Sequence, residues 1–166
     1  MQQDNKKKLI FNSLIIIAIF LLDRFSKLYV LNLAETNGNV DILLTNYLNL
    51  YLVWNEGIAF GLLNFEQSEL YNLITLLIGI ILVIVLIIII KMQDIRVYFY
   101  SIIFGGGAGN LYDRYHYSAV PDFIDLHINN FHWFVFNIAD IFISLGVVCL
   151  ILVELILDKY LKNENK

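Results

Sequence analysis

Asp122 and Asp140 are the residues on which chemistry could turn. Two Asp side chains brought close cannot both ionise readily. Such a pair shares a proton, leaving one carboxylate to activate water and one acid to protonate a carbonyl or a leaving amine. Asp140 is flanked by Ile138, Ala139, Ile141 and Phe142, with no basic neighbour. Asp122 follows the only proline, Pro121, in a stretch expected to be an outer loop able to fold back over Asp140. Helical spacing groups other polar residues: Asn110, Asp113 and Arg114 share one face, Asn137 and Asp140 another, Asp23 and Lys27 a third. Ion pairing alone would account for Asp23 with Lys27 and for Asp113 with Arg114. Other chemistries find less support. His116, His127 and His132 fall in one outer segment without metal-ligand spacing, so surface placement is expected and no metal is implied. Ser26, Ser101 and Ser144 have no nucleophile-elbow motif or triad partner. Cys149 is the only cysteine, which excludes a disulfide scaffold and a thiolate metal site.

The elements that must position these residues belong in a membrane. The 166 residues are 59% hydrophobic and 16% charged, with mean hydropathy +0.70, against roughly a quarter charged in soluble domains. The formal charge of −4 is weak and unpatterned for nucleic acid. A bilayer core of ~30 Å needs about 20 apolar residues per helix, and four runs qualify, in a single polytopic domain: about 9–33, 70–90, 97–112 and 134–157. A largely apolar run of fourteen residues after Lys6-Lys7-Lys8 also suits a cleaved leader, but no small-residue cleavage site follows Leu22. Gly105 and Gly109 form G-x-x-x-G, whose common meaning is close helix packing. The segment 34–69 is rich in β-formers around Leu48–Trp54, so a strand or hairpin is expected at about 40–63, with Tyr47, Tyr51, Trp54, Phe60 and Phe65 suited to an interfacial aromatic belt.

Lysine and arginine counts orient the bundle. Lys6, Lys7 and Lys8, then Lys91 and Arg96, then Lys159, Lys162 and Lys166 mark both termini and the 91–96 loop as cytoplasmic, whereas 34–69 has none. Measured at 1.5 Å per residue from the cytoplasmic ends, Asp23 lies ~21 Å up, Asn110 ~20 Å and Asp140 ~25 Å. Helices running in opposite directions therefore bring polar groups to one level near the outer face. A shared polar site at that depth is the inference.

Five blocks carry a resemblance: Asp23-Arg24-Phe25-Ser26-Lys27, Asn55-Glu56-Gly57-Ile58-Ala59-Phe60-Gly61, Gly105 to Arg114, Val120-Pro121-Asp122-Phe123-Ile124-Asp125, and Phe136-Asn137-Ile138-Ala139-Asp140. In that order they resemble the bacterial lipoprotein signal peptidases, signal peptidase II. The resemblance implies an all-α membrane fold of four transmembrane helices with a small extracytoplasmic β-cradle. It implies an aspartic endopeptidase of the bacterial inner membrane that cuts diacylglyceryl-modified prolipoproteins before the lipidated cysteine, with lipid-modified precursors and membrane lipids as partners and no cofactor. Carried over, Asp122 and Asp140 match the catalytic dyad. Asn55, Gly57 and Phe60 match the cradle beside the substrate, Asn110, Asp113, Arg114 and Asn137 the site lining, and Asp23 a supporting position. Arg24 stands where many members have Gln, Pro121 where Val is common, and Gly107 where Ala is frequent. No oligomer is implied. The alternative is a small proton-coupled transporter relaying protons through Asp23, Asp113 and Asp140. The nearly apolar second span, broken only by Asn72 and Thr75, argues against such a relay, and a noncatalytic scaffold would leave the carboxylates at matching depth unexplained.

Overall fold

A computed structural model describes residues 2–56, 67–129 and 131–164. In chain order the elements are α1 (Gln2–Asn37), β1 (Asp41–Thr45), β2 (Leu48–Asn55), α2 (Gln67–Lys91), α3 (Arg96–Tyr117), β3 (Val120–Ile128), β4 (Phe131–Phe136) and α4 (Ile138–Glu164). Three helices are long and apolar enough to cross a membrane, over Lys6–Asn37, Glu69–Lys91 and Ile138–Leu157. Large apolar side chains along them, such as Leu14, Leu76, Ile80 and Leu152, are exposed, as a lipid solvent allows. The third helix is the exception: its glycines and the polar run from Asn110 to Arg114 dilute its apolar character.

That dilution is what lets α3 sit at the centre, packed against α1, α2 and α4. Consecutive helical residues point about 100° apart, so three glycines in a row open α3 to three different neighbours. A Cβ on Gly105 would lie 3.0 Å from the Ile16 carbonyl oxygen of α1, one on Gly106 2.6 Å from the Ala139 carbonyl oxygen of α4, and one on Gly107 2.7 Å from Leu82 of α2. Gly109, one turn beyond Gly105, again faces α1, where its bare Cα makes room for the Asp23 carboxylate. The small-residue spacing is thus a packing device.

The two connections on the other side of the bundle fuse into one antiparallel sheet of order β1-β2-β3-β4. The β1–β2 hairpin follows α1, which stops at Gly38 in a left-handed conformation (φ 75°), its N–H donating to the Ala34 carbonyl at 2.9 Å. The β3–β4 hairpin joins α3 to α4, and β2 pairs with β3. Val30, Val40 and Phe123, backed by Leu33, Leu52 and Ile138, form a core tying the sheet to α1 and α4. A second cluster of Val85, Ile89 and Val97 ties α2 to α3 at their turn.

Two features differ from the expectation. The outer segment before α4 is strand, not loop, and places Asp122 on β3. The fourth helix begins at Ile138 and not near 134, because Phe131–Phe136 is β4. An aromatic and β-branched run such as Phe134-Val135-Phe136 fits either state by hydropathy, and cross-strand pairing with β3 decides it.

Candidate active site

The site forms where β3 loses its second neighbour. β4 pairs with β3 only from Phe136, opposite Ile124, back to Phe131. Residues Val120 to Asp122 therefore pair with β2 alone, through Asn55, Trp54 and Val53. Pro121, which has no N–H to give a ladder, falls in this one-sided stretch. Beyond Phe136 the chain leaves the sheet at Asn137 and turns into α4, passing alongside Asp122.

Asn137 grips both carboxylates. Its side-chain amide donates to Asp122 Oδ1 at 2.6 Å. Its backbone N–H donates to Asp140 Oδ2 at 3.1 Å, and its Oδ1 accepts from the Asp140 N–H at 3.0 Å. The last two bonds form a reciprocal cap at the start of α4, with Asn137 as the first capping residue and Asp140 three positions on. Asp23 Oδ1 accepts from the Ala139 N–H at 2.9 Å, so the Asn137, Ala139 and Asp140 N–H groups at the start of α4 are met by two aspartates and an asparagine. The remaining oxygens are met by amides: Asn55 donates to Asp122 Oδ2 at 2.9 Å and Asn110 to Asp140 Oδ1 at 2.8 Å.

Beneath the pair lies a buried charge cluster. Lys27 and Asp113 are fully buried, as is Asp23. Lys27 Nζ donates to Asp23 Oδ2 at 2.8 Å, Asp113 Oδ2 at 2.7 Å and Asn110 Oδ1 at 2.8 Å. Arg24 pairs with the other oxygen of Asp113 and lies over the Tyr112 ring, 5.0 Å from its centroid. Because Lys27 engages the Asn110 oxygen, the Asn110 nitrogen is the atom turned to Asp140.

Asp23, Asn55, Asn110, Asp113, Asp122, Asn137 and Asp140 are thus joined in one hydrogen-bonded assembly. Arg114 is not part of it: its guanidinium lies over the Tyr71 ring, 5.3 Å from the centroid, and Tyr71 donates its hydroxyl to the Arg114 carbonyl at 3.2 Å. Asp113 takes Arg24 and Lys27 as its partners in place of the expected Arg114, since adjacent helical residues diverge while α1 faces Asp113 directly. Gly57 and Phe60, named as cradle residues, lie outside the described residues. Arg24 and the full reach of Lys27 were not foreseen, although both stand in the first motif block, one and four residues after Asp23.

Burial pushes the Asp122 carboxyl up to about 6, and the negative charge of Asp140 adds to the rise against the pull of the Asn55 and Asn137 hydrogen bonds. An open cavity of about 660 Å³ runs between α1, β2 and the end of α3, walled by Leu28, Leu31, Leu52, Trp54 and Tyr117, with Asn32 and Glu35 of α1 also in its lining. Trp54 and Tyr117 close one side in an edge contact with ring centroids 5.5 Å apart. Trp54 faces Pro121 across the ladder, whereas Asp122 is opposite Val53, so the cavity lies one strand position from Asp122 and neither aspartate of the pair lines it.

A pair of aspartates held by amides, with the carboxyl of one pushed up to about 6, is an arrangement suited to an aspartic-type peptidase. The family described as signal peptidase (SPase) II matches residues 15–156. The lipoprotein signal peptidase of Pelagibacter ubique (strain HTCC1062) is 52% identical over 165 residues, covering 99% of each chain. That of Anaplasma phagocytophilum (strain HZ) is 39% identical over 151 residues, covering 90% of this chain and 94% of the relative. Two solved structures, both described as a bacterial membrane enzyme studied by the in meso method, share 27% identity. One has a TM-score of 0.71 over 87% of this chain and 92% of that one, the other 0.67 over 90% and 89%. The chain belongs to the signal peptidase II family.

Proposed function

We propose that Asp122 and Asp140 are the catalytic pair with which this chain cleaves signal peptides from lipid-modified prolipoproteins. The observation that carries the reading is Asn137, which hydrogen-bonds both carboxylates and presents them side by side at the meeting of sheet and helix. With its carboxyl pushed up to about 6, Asp122 is the member that holds the shared proton. A water between the two is deprotonated by Asp140 as its oxygen attacks the scissile carbonyl carbon, while Asp122 gives its proton to the carbonyl oxygen. Collapse of the tetrahedral intermediate returns that proton to Asp122, and the proton held by Asp140 goes to the departing amine. Peptide bond and water are consumed, acid and amine are formed, and the pair ends as it began. No cofactor enters the cycle.

The cavity walled by Leu28, Leu31, Leu52 and Trp54 is the place for apolar residues of the signal peptide, and the acyl chains of the substrate remain in the bilayer. We further assign all four helices to the membrane, α3 included. Its polar run would stand in hydrocarbon if α3 were alone, and its central position, enclosed by the other three helices, supports the assignment. The lysines at both ends of the chain and in the 91–96 loop support cytoplasmic termini and an active site near the outer face of the inner membrane.

The test is cleavage of a diacylglyceryl-modified prolipoprotein by the purified protein in detergent, with Asp122→Asn and Asp140→Asn shown by thermal unfolding to be folded. Cleavage by the parent and its loss in both variants is the expected result. Full cleavage by either variant would remove that residue from the catalytic pair. The transporter alternative is not favoured by any feature of the assembly: the ionisable groups are gathered at one level, and α2 offers no relay.

A further inference from the structure

Three residues with no part in the catalytic pair converge on the β3–β4 hairpin. Asp125 and His127 are alternate positions on β3, and alternation on a strand puts such residues on one face. His132 of β4 is the cross-strand partner of His127, with a register shift between Asp125 and His127 of the kind that re-aims side chains. One ligating atom from each of the three lies within 4.8 Å of the other two. The imidazole rings are stacked with centroids 5.3 Å apart.

The donor set is incomplete without a further partner. The Asp125 side chain is 1% exposed, and its Oδ2 meets His132 Nδ1 at 2.7 Å, while its Oδ1 is buried with no hydrogen bond. The His127 side chain is 10% exposed, and its Nδ1 is also buried without a hydrogen bond, 3.9 Å from Asp125 Oδ2. An acceptor carboxylate oxygen and a ring nitrogen buried in this way are costly. A cation able to take both would relieve them together.

We propose that Asp125, His127 and His132 form a binding site for a divalent transition metal of the zinc type. Two imidazoles and one carboxylate suit zinc, whereas magnesium and calcium prefer all-oxygen sets. Zinc bonds of about 2.0–2.2 Å hold ligand atoms roughly 3.3–3.5 Å apart, so side-chain rotation of about an ångström closes the cluster. The fourth position falls to water. The ion clamps β3 to β4, the hairpin that carries Asp122 at one end and delivers Asn137 at the other. The site is independent of the peptidase reading, because none of its three side chains hydrogen-bonds to Asp122 or Asp140.

The experiment is equilibrium dialysis of the full chain in detergent, first stripped with chelator, against zinc ion, with elemental analysis and the visible absorption of a cobalt(II) substitute. One zinc per chain is expected, with a rise in Tm on binding and no comparable binding of magnesium or calcium. Loss of a ligand should cost at least as much as loss of a partner that merely orients one, so His132→Gln and His127→Gln should each weaken binding by about tenfold or more. His132 is 56% exposed, so its replacement leaves the fold intact and decides the matter by itself. Unchanged zinc affinity in His132→Gln, or no saturable binding by the parent, overturns the proposal. The Asp122→Asn/Asp140→Asn protein should bind zinc as the parent does, whatever happens to cleavage.

Discussion

Four of the aspartates meet in one assembly, yet they are held in two opposite ways. Asp23 and Asp113 sit fully buried against Lys27 and Arg24. Asp122 and Asp140 are held by Asn55, Asn110 and Asn137, with no cation in contact among the described residues. Cations bind the first two and consume their chemistry in structure. Amides orient the second two without neutralising them, so repulsion and burial keep a proton on the pair. Asn110 joins the two regions, accepting from Lys27 and donating to Asp140, and so transmits position from the charged cluster to the reacting one without passing on its charge.

This contrast can be broken from either side. The largest effect is expected from the pair itself: Asp140→Asn keeps an acceptor for the helix cap but no base, and should lower cleavage of a lipidated precursor at least about 10³-fold with little change in thermal unfolding. The opposite signature belongs to Lys27→Met, which leaves two buried aspartates without their shared cation. It should destabilise the protein by about 3–5 kcal/mol, read as a fall in unfolding temperature in detergent. Asn110→Ala removes the side chain that bridges Lys27 and Asp140, leaving the Asp23 contact with the start of α4. A lost hydrogen bond to a charged group is worth about 1.5–3 kcal/mol, so cleavage should fall roughly ten- to hundredfold, with a smaller loss of stability than Lys27→Met.

The pH dependence sharpens the contrast further. Asp122 holds its proton up to about 6, and above that the pair loses its acid, so kcat/KM should fall by about tenfold per pH unit at high pH. The sign for stability follows from the same shift. The folded carboxyl, raised from 3.8 to about 6, binds more protons than the unfolded one between those values, so this group's contribution to stability declines as pH rises through that window. The smallest effect is expected for Arg24→Gln. Lys27 still holds Asp113 and glutamine can still donate to it, so the unfolding temperature should drop by the equivalent of only about 1 kcal/mol, and cleavage should persist.

Much of the site could be read before any coordinates. Asp23, Asn110 and Asp140 stand at one depth because helix rise is constant, and i, i+3 spacing joined Asn137 to Asp140. What that spacing left open was its meaning. The two residues form a helix cap and not a mid-helix face, because the apolar run before them pairs as β4. Asp113 was matched with its chain neighbour Arg114, whereas its cations come from α1, 86 and 89 residues away. The histidines fall in one outer segment without a metal spacing along the chain, and only the pairing of His127 with His132 across a hairpin brings those two to Asp125, while His116 stays on α3.

The sequence by itself determined the solvent, the long apolar helices, the small-residue seam of α3 and the level at which polar groups collect. These depend on composition and on a fixed rise per residue, which are local properties. Only the tertiary structure decided which carboxylates meet cations and which meet amides. That choice required two segments some 70 residues apart to join as β2 and β3 in one sheet, and β4 to stop at Phe136. Both depend on long-range hydrogen bonding, for which periodicity carries no signal.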